Sequence, residues 1–455
     1  MLQKEIDDSD WKRFHEYSKL VRRLTVRLDD STSDYAKLVH KFLARFVYTN
    51  SVQCLVPNIE VLELHYHESN FLNTLIFLGP RLERLTIKNL NTPASLYNTV
   101  TTLLSRAPSI SKLSLQCNLT IDTMPFDNDF ALACGTLSGL EELTLYDYQL
   151  TPNALLSLSS LPQLQYFGYK SSKKITYGKL NESFSCKFKK LCSPYPRLRK
   201  VTFNSHYSAL TFFLSMEILV PTIEHLTLDI RGKVVDGDMM EICKKIGQYW
   251  RNISYLHIKA NNVEDSQTQF FATYLPLSNL QKMRKFMFVH LKALIITDEE
   301  VRILTQCWPQ LSSFVLFSHF GEFYLTESKL TLSALAYFAN NCPNIEELIL
   351  RVDGKKKFKI LPETPVMKEL KLLCFCCSPI LEPEAVAFEL SKVLDPTTRH
   401  DTGFSQIKEE ITDELKKEIL QACYEDWMRV LKSLKLIAEV EKRQLGLPSE
   451  GIWST

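Results

Sequence analysis

The chain reads as an α/β leucine-rich-repeat solenoid: a horseshoe with parallel strands on its concave face, helices on its convex face, and helical caps. Three observations predict this. The pattern Pro-x-φ-x-x-φ-x-φ, with φ apolar, is clearest at Pro343 to Leu350 and returns at Pro57, Pro80, Pro108, Pro162, Pro196, Pro221, Pro309 and Pro365. Copies without the proline stand at Val21 to Val26, Leu140 to Leu145, Ile253 to Ile258 and Met283 to Phe288. The spacing, roughly 22 to 38 residues, overlaps and overshoots the 20–29 of leucine-rich repeats. Within each copy the last two apolar positions alternate with polar ones, the two-residue period of a strand buried on one face.

The elements follow in order. Residues 1–19 make an N-terminal helical cap: Trp11, Phe14 and Ser18 or Tyr17 fall three or four apart, and a terminal unit must cover the open end of the first strand. The array of about twelve irregular repeats occupies 20–375. Val21-x-x-Leu24-x-Val26 supplies its first strand, and Ser33 to Thr49 a helix with Leu38, Phe42 and Phe46 on one face. Thr99 to Arg106 is a further helix, ended before Pro108 because the residue preceding proline avoids the helical region. Ser171 to Cys192, with five lysines (Lys173, Lys174, Lys187, Lys189, Lys190), reads as a surface loop or irregular repeat. Asp238 to Trp250 sets Ile242, Ile246 and Trp250 at helical spacing, Thr297 to Glu300 is a capping box, and Thr331 to Asn341 is a helix with Leu335, Phe338 and Ala339 inward. Residues 376–455 form a C-terminal helical cap and tail. There Pro383 to Leu394 is a helix with proline in its first turn, and Asp395 to Gly403 is a linker rich in breakers. Ile407 to about Leu445 is a long helical stretch whose stripe (Trp427, Val430, Leu431, Leu434, Ile437, Ala438) caps the last repeat or, alternatively, binds a partner.

Composition narrows the function classes. Among 455 residues the net charge is only +2, which argues for neither nucleic acid nor a membrane surface. The polar, acidic N-terminus is not a signal or transit peptide. The most apolar run, Leu210 to Val220, is about half the ~20 residues of a membrane helix and contains Glu217. Twelve scattered cysteines point to reduced thiols in the cytoplasm or nucleus. The one thiol cluster, Cys374-Phe375-Cys376-Cys377, has no second pair at zinc spacing, so no metal is expected. Glycine numbers only 13, and no phosphate cradle, nucleophile elbow or His-Glu-x-x-His pair occurs. The expectation is a monomeric binding protein without enzymatic activity or cofactor.

Strand phase assigns the outward side chains, which must supply specificity because the backbone bonds between repeats. Tyr166, Lys170, Lys200, His225, Tyr255, His257 and Lys259 form a basic, aromatic middle. Met287, Val289, Val315, Phe317 and Ile349 give an apolar run on adjacent strands, and outward apolar residues so repeated suggest contact with a protein target. The competing reading has the C-terminal helices folded over this run. His67, His206 and His319 share one phase on separated repeats and read as surface turns.

Asp10-Trp11-x-Arg13-Phe14-x-x-Tyr17-x-x-x-Val21-Arg22-x-Leu24 resembles the segment following the F-box in mushroom-type fungal F-box/leucine-rich-repeat proteins. Ile296 to Val301 through Trp308-Pro309-x-Leu311 is similar to a late repeat of the same family. The resemblance implies the substrate receptor of a cullin–RING ubiquitin ligase, with an F-box on the Skp adaptor and the repeats presenting the target. An F-box needs about 40 residues opening with a Leu-Pro element, and about 18 precede the first repeat here. Docking on the Skp adaptor is therefore expected only with an F-box further upstream; the alternative is a stand-alone leucine-rich-repeat scaffold or regulator.

Overall fold

The structure, a computed structural model, describes residues 8–28, 54–66, 75–90, 105–117, 137–146, 155, 158–159, 161–171, 195–214, 222–234, 236–263, 274–290, 296–318, 328–376, 378–396, 398–401 and 414–444. Two compact units share the chain, Met1–Ala209 and Leu210–Thr455. The first begins with α1 (Asp8–Ser18) and carries seven strands: β1 (Arg23–Leu28), β2 (Val61–Tyr66), β3 (Arg84–Leu90), β4 (Lys112–Cys117), β5 (Glu142–Tyr146), β6 (Tyr166–Lys170) and β7 (Lys200–His206). They lie in sequence order, each parallel to the next. Helix α2 (Tyr207–Leu214) carries the chain across the boundary.

The second unit repeats the plan with β8 (His225–Val234), α3 (Asp236–Tyr249), β9 (Tyr255–Val263), β10 (Lys285–His290), α4 (Asp298–Cys307), β11 (Ser313–Ser318) and α5 (Ala334–Asn341). It ends in β12 (Glu347–Ile349), β13 (Leu372–Cys374), α6 (Pro383–Ser391), β14 (Arg399–Asp401) and the 31-residue α7 (Glu414–Gln444). Its strands β8 to β14 are again sequential and parallel. This is the leucine-rich-repeat solenoid that the apolar pattern predicts.

In most repeats the φ-x-x-φ-x-φ triplet goes into the core, with two exceptions: Val21, Leu24 and Val26 of the first repeat are half-buried, and the copy read from Pro365 is out of step, because Leu373 rather than Leu372 stands opposite the core residue Leu348. Ile59, Leu62 and Leu64 are buried in one repeat, Ile110, Leu113 and Leu115 in another, and Ile345, Leu348 and Leu350 in a third, all at 2% exposure or less. Burial of such a side chain is worth about 1.5–3 kcal/mol, and a repeat commits three of them to its neighbours. The residue three before the first φ closes a turn by accepting from that φ residue's N–H: Trp308 O from Leu311 (3.0 Å), Cys342 O from Ile345 (3.1 Å), Val56 O from Ile59 (3.2 Å). Proline then falls at the second turn position, where its fixed φ is already correct. This adds a second reason, beside ending the preceding helix, for proline to open the repeat.

One backbone device propagates from strand to strand. Along most of each unit a carbonyl just before one strand accepts two N–H groups from the start of the next. Glu83 O takes Ser111 and Lys112, Ser111 O takes Glu141 and Glu142, and Arg284 O takes Ser312 and Ser313. Large residues at the turn position reach back a further repeat: Trp250 Nε1 donates to Leu214 O (3.4 Å), Trp308 Nε1 to Leu277 O (3.2 Å) and Tyr195 Oη to Leu155 O.

The helices also match their sequence signals. Thr297 caps α4 through the full reciprocal box, its Oγ1 accepting from Glu300 N (3.3 Å) while Glu300 Oε2 accepts from Thr297 N (2.5 Å). Asp298 accepts from Thr331 N (2.7 Å) and Thr331 Oγ1 (2.6 Å), fastening α4 to the following repeat. In α7, Trp427, Val430, Leu434 and Ala438 are buried while Leu431 and Ile437 are half-buried. Trp427 stacks on Phe375 with ring centroids 4.6 Å apart and donates to Ser378 O (2.8 Å), and Arg429 bridges to Glu384 of α6 (2.8 Å). The helix thus packs on α6 and the turn after β13, as the capping reading has it.

One stretch differs from its sequence reading. Arg399–Asp401, taken as part of a linker, is a strand paired parallel to β13, with Leu373 opposite His400. The expected helix at 33–49 lies outside the described residues, as do 172–192, His67, His319 and all but the last two residues of the Thr99–Arg106 helix.

Candidate functional site

Two-residue alternation leaves three rows of outward side chains on each unit. On the first unit the central row begins with Thr25 and Glu63 and then crosses the strands as Thr86, Ser114, Thr144, Gly168 and Thr202, hydroxyl-bearing or without a side chain from β3 to β7. A Cβ at Gly168 would stand 2.9 Å from Tyr166 Oη and 3.0 Å from Thr144 Oγ1, so the phenol of Tyr166 leans over the glycine and any side chain there would have to displace it. The flanking rows are mostly cationic and aromatic: Arg84, Lys112, Glu142, Tyr166 and Lys200 on one side, Lys88, Gln116, Tyr146 and Lys170 on the other.

The two carboxylates of this face are held by lysines on the next or preceding strand. Lys88 Nζ is 2.5 Å from Glu63 and Lys112 Nζ is 2.6 Å from Glu142. Glu63 also bonds His65 Nε2 (2.7 Å), and the hydrogen bonds from Lys88 and then His65 hold its carboxyl below the ordinary range. Lys200 lies over the Tyr166 ring at 5.6 Å and Lys170 over Tyr146 at 4.9 Å. Tyr166, Lys170 and Lys200, singled out from phase alone, therefore form one aromatic–cationic group on β5 to β7, with Tyr146 as a member that periodicity did not single out.

On the second unit the central row is Thr227, His257, Met287, Val315, Ile349, Cys374 and, on β14, Asp401. It is apolar from Met287 to Cys374 and polar at either end. His225 and Tyr255 begin the first row with stacked rings 5.4 Å apart, while Asp229, Lys259 and Val289 share the third. Burial, with a further push from Lys259 against the pull of Asp229, lowers the basicity of His257, so the ring is neutral at neutral pH. Burial and then the charge of Glu347 raise the Tyr255 hydroxyl.

The expected apolar run is assembled, with one correction. Met287, Val289 and Ile349 are half-buried, but Val315 is only 4% exposed. Its register partners are Met287 and Ile349, and a short β-branched side chain between two longer ones on strands ~4.8 Å away is shielded from solvent. The Phe317 side chain lies outside the described residues. The described packing of α7, on α6 and the Phe375–Ser378 turn, does not run along the β10–β11 face.

Cys374 closes the apolar row, its Sγ 3.8 Å from Cys376 Sγ. Among the described residues no group of three or more His, Cys, Asp or Glu side chains is placed to hold a metal ion, and no helix is long and apolar enough to cross a membrane.

No protein-family profile matches the chain, and no curated protein matches it. Among solved structures it is similar to a crystal structure of a protein from Bacteroides fragilis, at 11% identity over 67% of this chain and 74% of that one, with a TM-score of 0.32.

Proposed function

We propose that this chain is a protein-binding leucine-rich-repeat receptor that captures its target on the outward strand face. The supporting observation is the row Met287, Val315 and Ile349: adjacent parallel strands carry apolar side chains on the face away from the core, bordered by Tyr255, His257 and Lys259. Folding alone does not need these residues apolar, since the same template positions on the first unit are threonine, serine and glycine. Aromatic and methionine side chains are enriched where proteins meet. The chemistry is recognition without a covalent step.

The finer reading is that the receptor serves a cullin–RING ubiquitin ligase as the target-binding part of an F-box subunit. It draws on the resemblance of Asp10 to Leu24 and on the capped Thr297–Val301 segment. Stand-alone scaffolding is the alternative. Affinity purification of the wild type and of Met287→Glu/Ile349→Glu, compared quantitatively, tests the receptor reading. A protein partner lost with the variant, at an unchanged unfolding midpoint, supports it; identical partner sets refute it. Binding of the purified Skp adaptor to the gene product with its upstream coding sequence tests the ligase reading, and failure to bind leaves the scaffold.

A further inference from the structure

We infer that the outward face of the first unit is a docking site for an extended acidic protein segment. This inference rests on the reading that partners dock on outward strand faces, but it uses a different surface from the apolar row. In the outward phase of β1 to β7 stand seven cationic side chains, two of them arginines on β1, against two carboxylates. Both carboxylates, Glu63 and Glu142, are already taken by Lys88 and Lys112. The excess of five positive charges is local, because the whole chain carries only +2. Clustered charge of one sign raises the concentration of an oppositely charged partner at the surface.

The dimensions favour a peptide crossing the strands. Neighbouring strands are ~4.8 Å apart and an extended peptide rises ~3.3 Å per residue, so about three residues span two intervals. Six intervals, roughly 29 Å, then accommodate about nine residues. From β3 to β7 the hydroxyls of Thr86, Ser114, Thr144 and Thr202 line the middle of that path, each able to donate and accept as a peptide backbone requires, while on β2 the middle position is Glu63, its charge met by Lys88. Alternate side chains of such a peptide point to the flanking rows, where the lysines and arginines pair with carboxylates. A nucleic-acid duplex fits less well. It presents a phosphate about every 3.4 Å of strand, too dense a row to avoid the two carboxylates of the face.

The test uses the full chain and fluorescein-labelled twelve-residue probes: alternating Glu-Ser, alternating Lys-Ser, and oligo-dT of the same length. Fluorescence anisotropy at low salt is expected to show micromolar binding of the Glu-Ser peptide, weakening as salt rises, and none of the Lys-Ser peptide. Lys170→Glu/Lys200→Glu is expected to weaken it at least tenfold with an unchanged far-ultraviolet circular dichroism spectrum. Arg84→Glu, on another strand, provides an independent variant should the double variant misfold. Absence of binding to the Glu-Ser peptide, equal or tighter binding of oligo-dT, or affinity unmoved by both charge reversals would each overturn the inference. Met287→Glu/Ile349→Glu is expected to leave this binding intact, so failure of the apolar-face reading and failure of this one are told apart.

Discussion

Gly247 is where repeat stacking leaves least room, and substituting alanine there measures how tightly adjacent repeats are pressed. It lies in α3 against the short 3-10 turn Leu275–Asn279 of the next repeat. A Cβ would stand 2.0 Å from Pro276 O and 2.8 Å from Pro276 C, backbone atoms that no rotamer change can move. Restoring a tolerable contact means displacing one repeat from the other by on the order of 1 Å, and forced overpacking costs about 1–3 kcal/mol. Against this, alanine in a helix interior gains about 0.5–1 kcal/mol over glycine. The balance is a loss of about 1–2 kcal/mol. Gly237 in the first turn of the same helix has no atom within 4 Å of its Cβ direction, so Gly237→Ala keeps only the gain. Guanidinium unfolding followed by tryptophan fluorescence suits the comparison, because Trp250, Trp308 and Trp427 all belong to the second unit. Gly247→Ala should lower the midpoint and Gly237→Ala leave it equal or higher. A Gly247→Ala midpoint at or above wild type would refute the close stacking of α3 on the next repeat.

Two further outcomes follow from the C-terminal repeats. Burial pulls the His400 imidazole down from 6.5 to about 4, so the unfolded chain binds a proton that the folded one refuses between those values. Stability is then full above pH ~6.5 and falls as pH drops toward 4, by about 2 kcal/mol between pH 7 and 5; His400→Gln should flatten that dependence in urea unfolding at the two pH values. Trp427→Ala removes the stack on Phe375 and the bond to Ser378 O, and should cost about 3–5 kcal/mol. If α7 is the cap, the loss appears as earlier protease cleavage within 414–444; a wild-type digestion pattern would contradict that.

What the sequence reveals of this fold is what local chemistry repeats. Ile59, Leu62 and Leu64 and their counterparts announce both period and core face, and Thr297 with Glu300 announces a helix start, because each signal lies within six residues. β14 carries no such signal. Its three residues Arg399, His400 and Asp401 include a single core-phase position, filled by histidine, and they become a strand because the edge of β13 offers Lys371 O to Arg399 N (3.0 Å). Tertiary context here outweighs pattern. The division near Ala209 is equally invisible, since Val201 and Phe203 before it and Leu226 and Leu228 after it keep the same phase.

For the outward rows, phase is legible but exposure is not. Val315 belongs to the outward set by counting, and only the side chains of its two register partners, Met287 and Ile349, show that it is covered. Row chemistry is freer still. Gly168 with its neighbours Tyr166 and Lys170 fills the same template positions as Met287 with Lys285 and Val289, and neither choice disturbs the buried pairs Phe167–Tyr169 and Phe286–Phe288. Core periodicity therefore places no restraint on what a face recognises. The backbone donors and acceptors are committed to neighbouring strands, so a hydroxyl row edged with cations and a row of apolar side chains differ in side-chain chemistry alone.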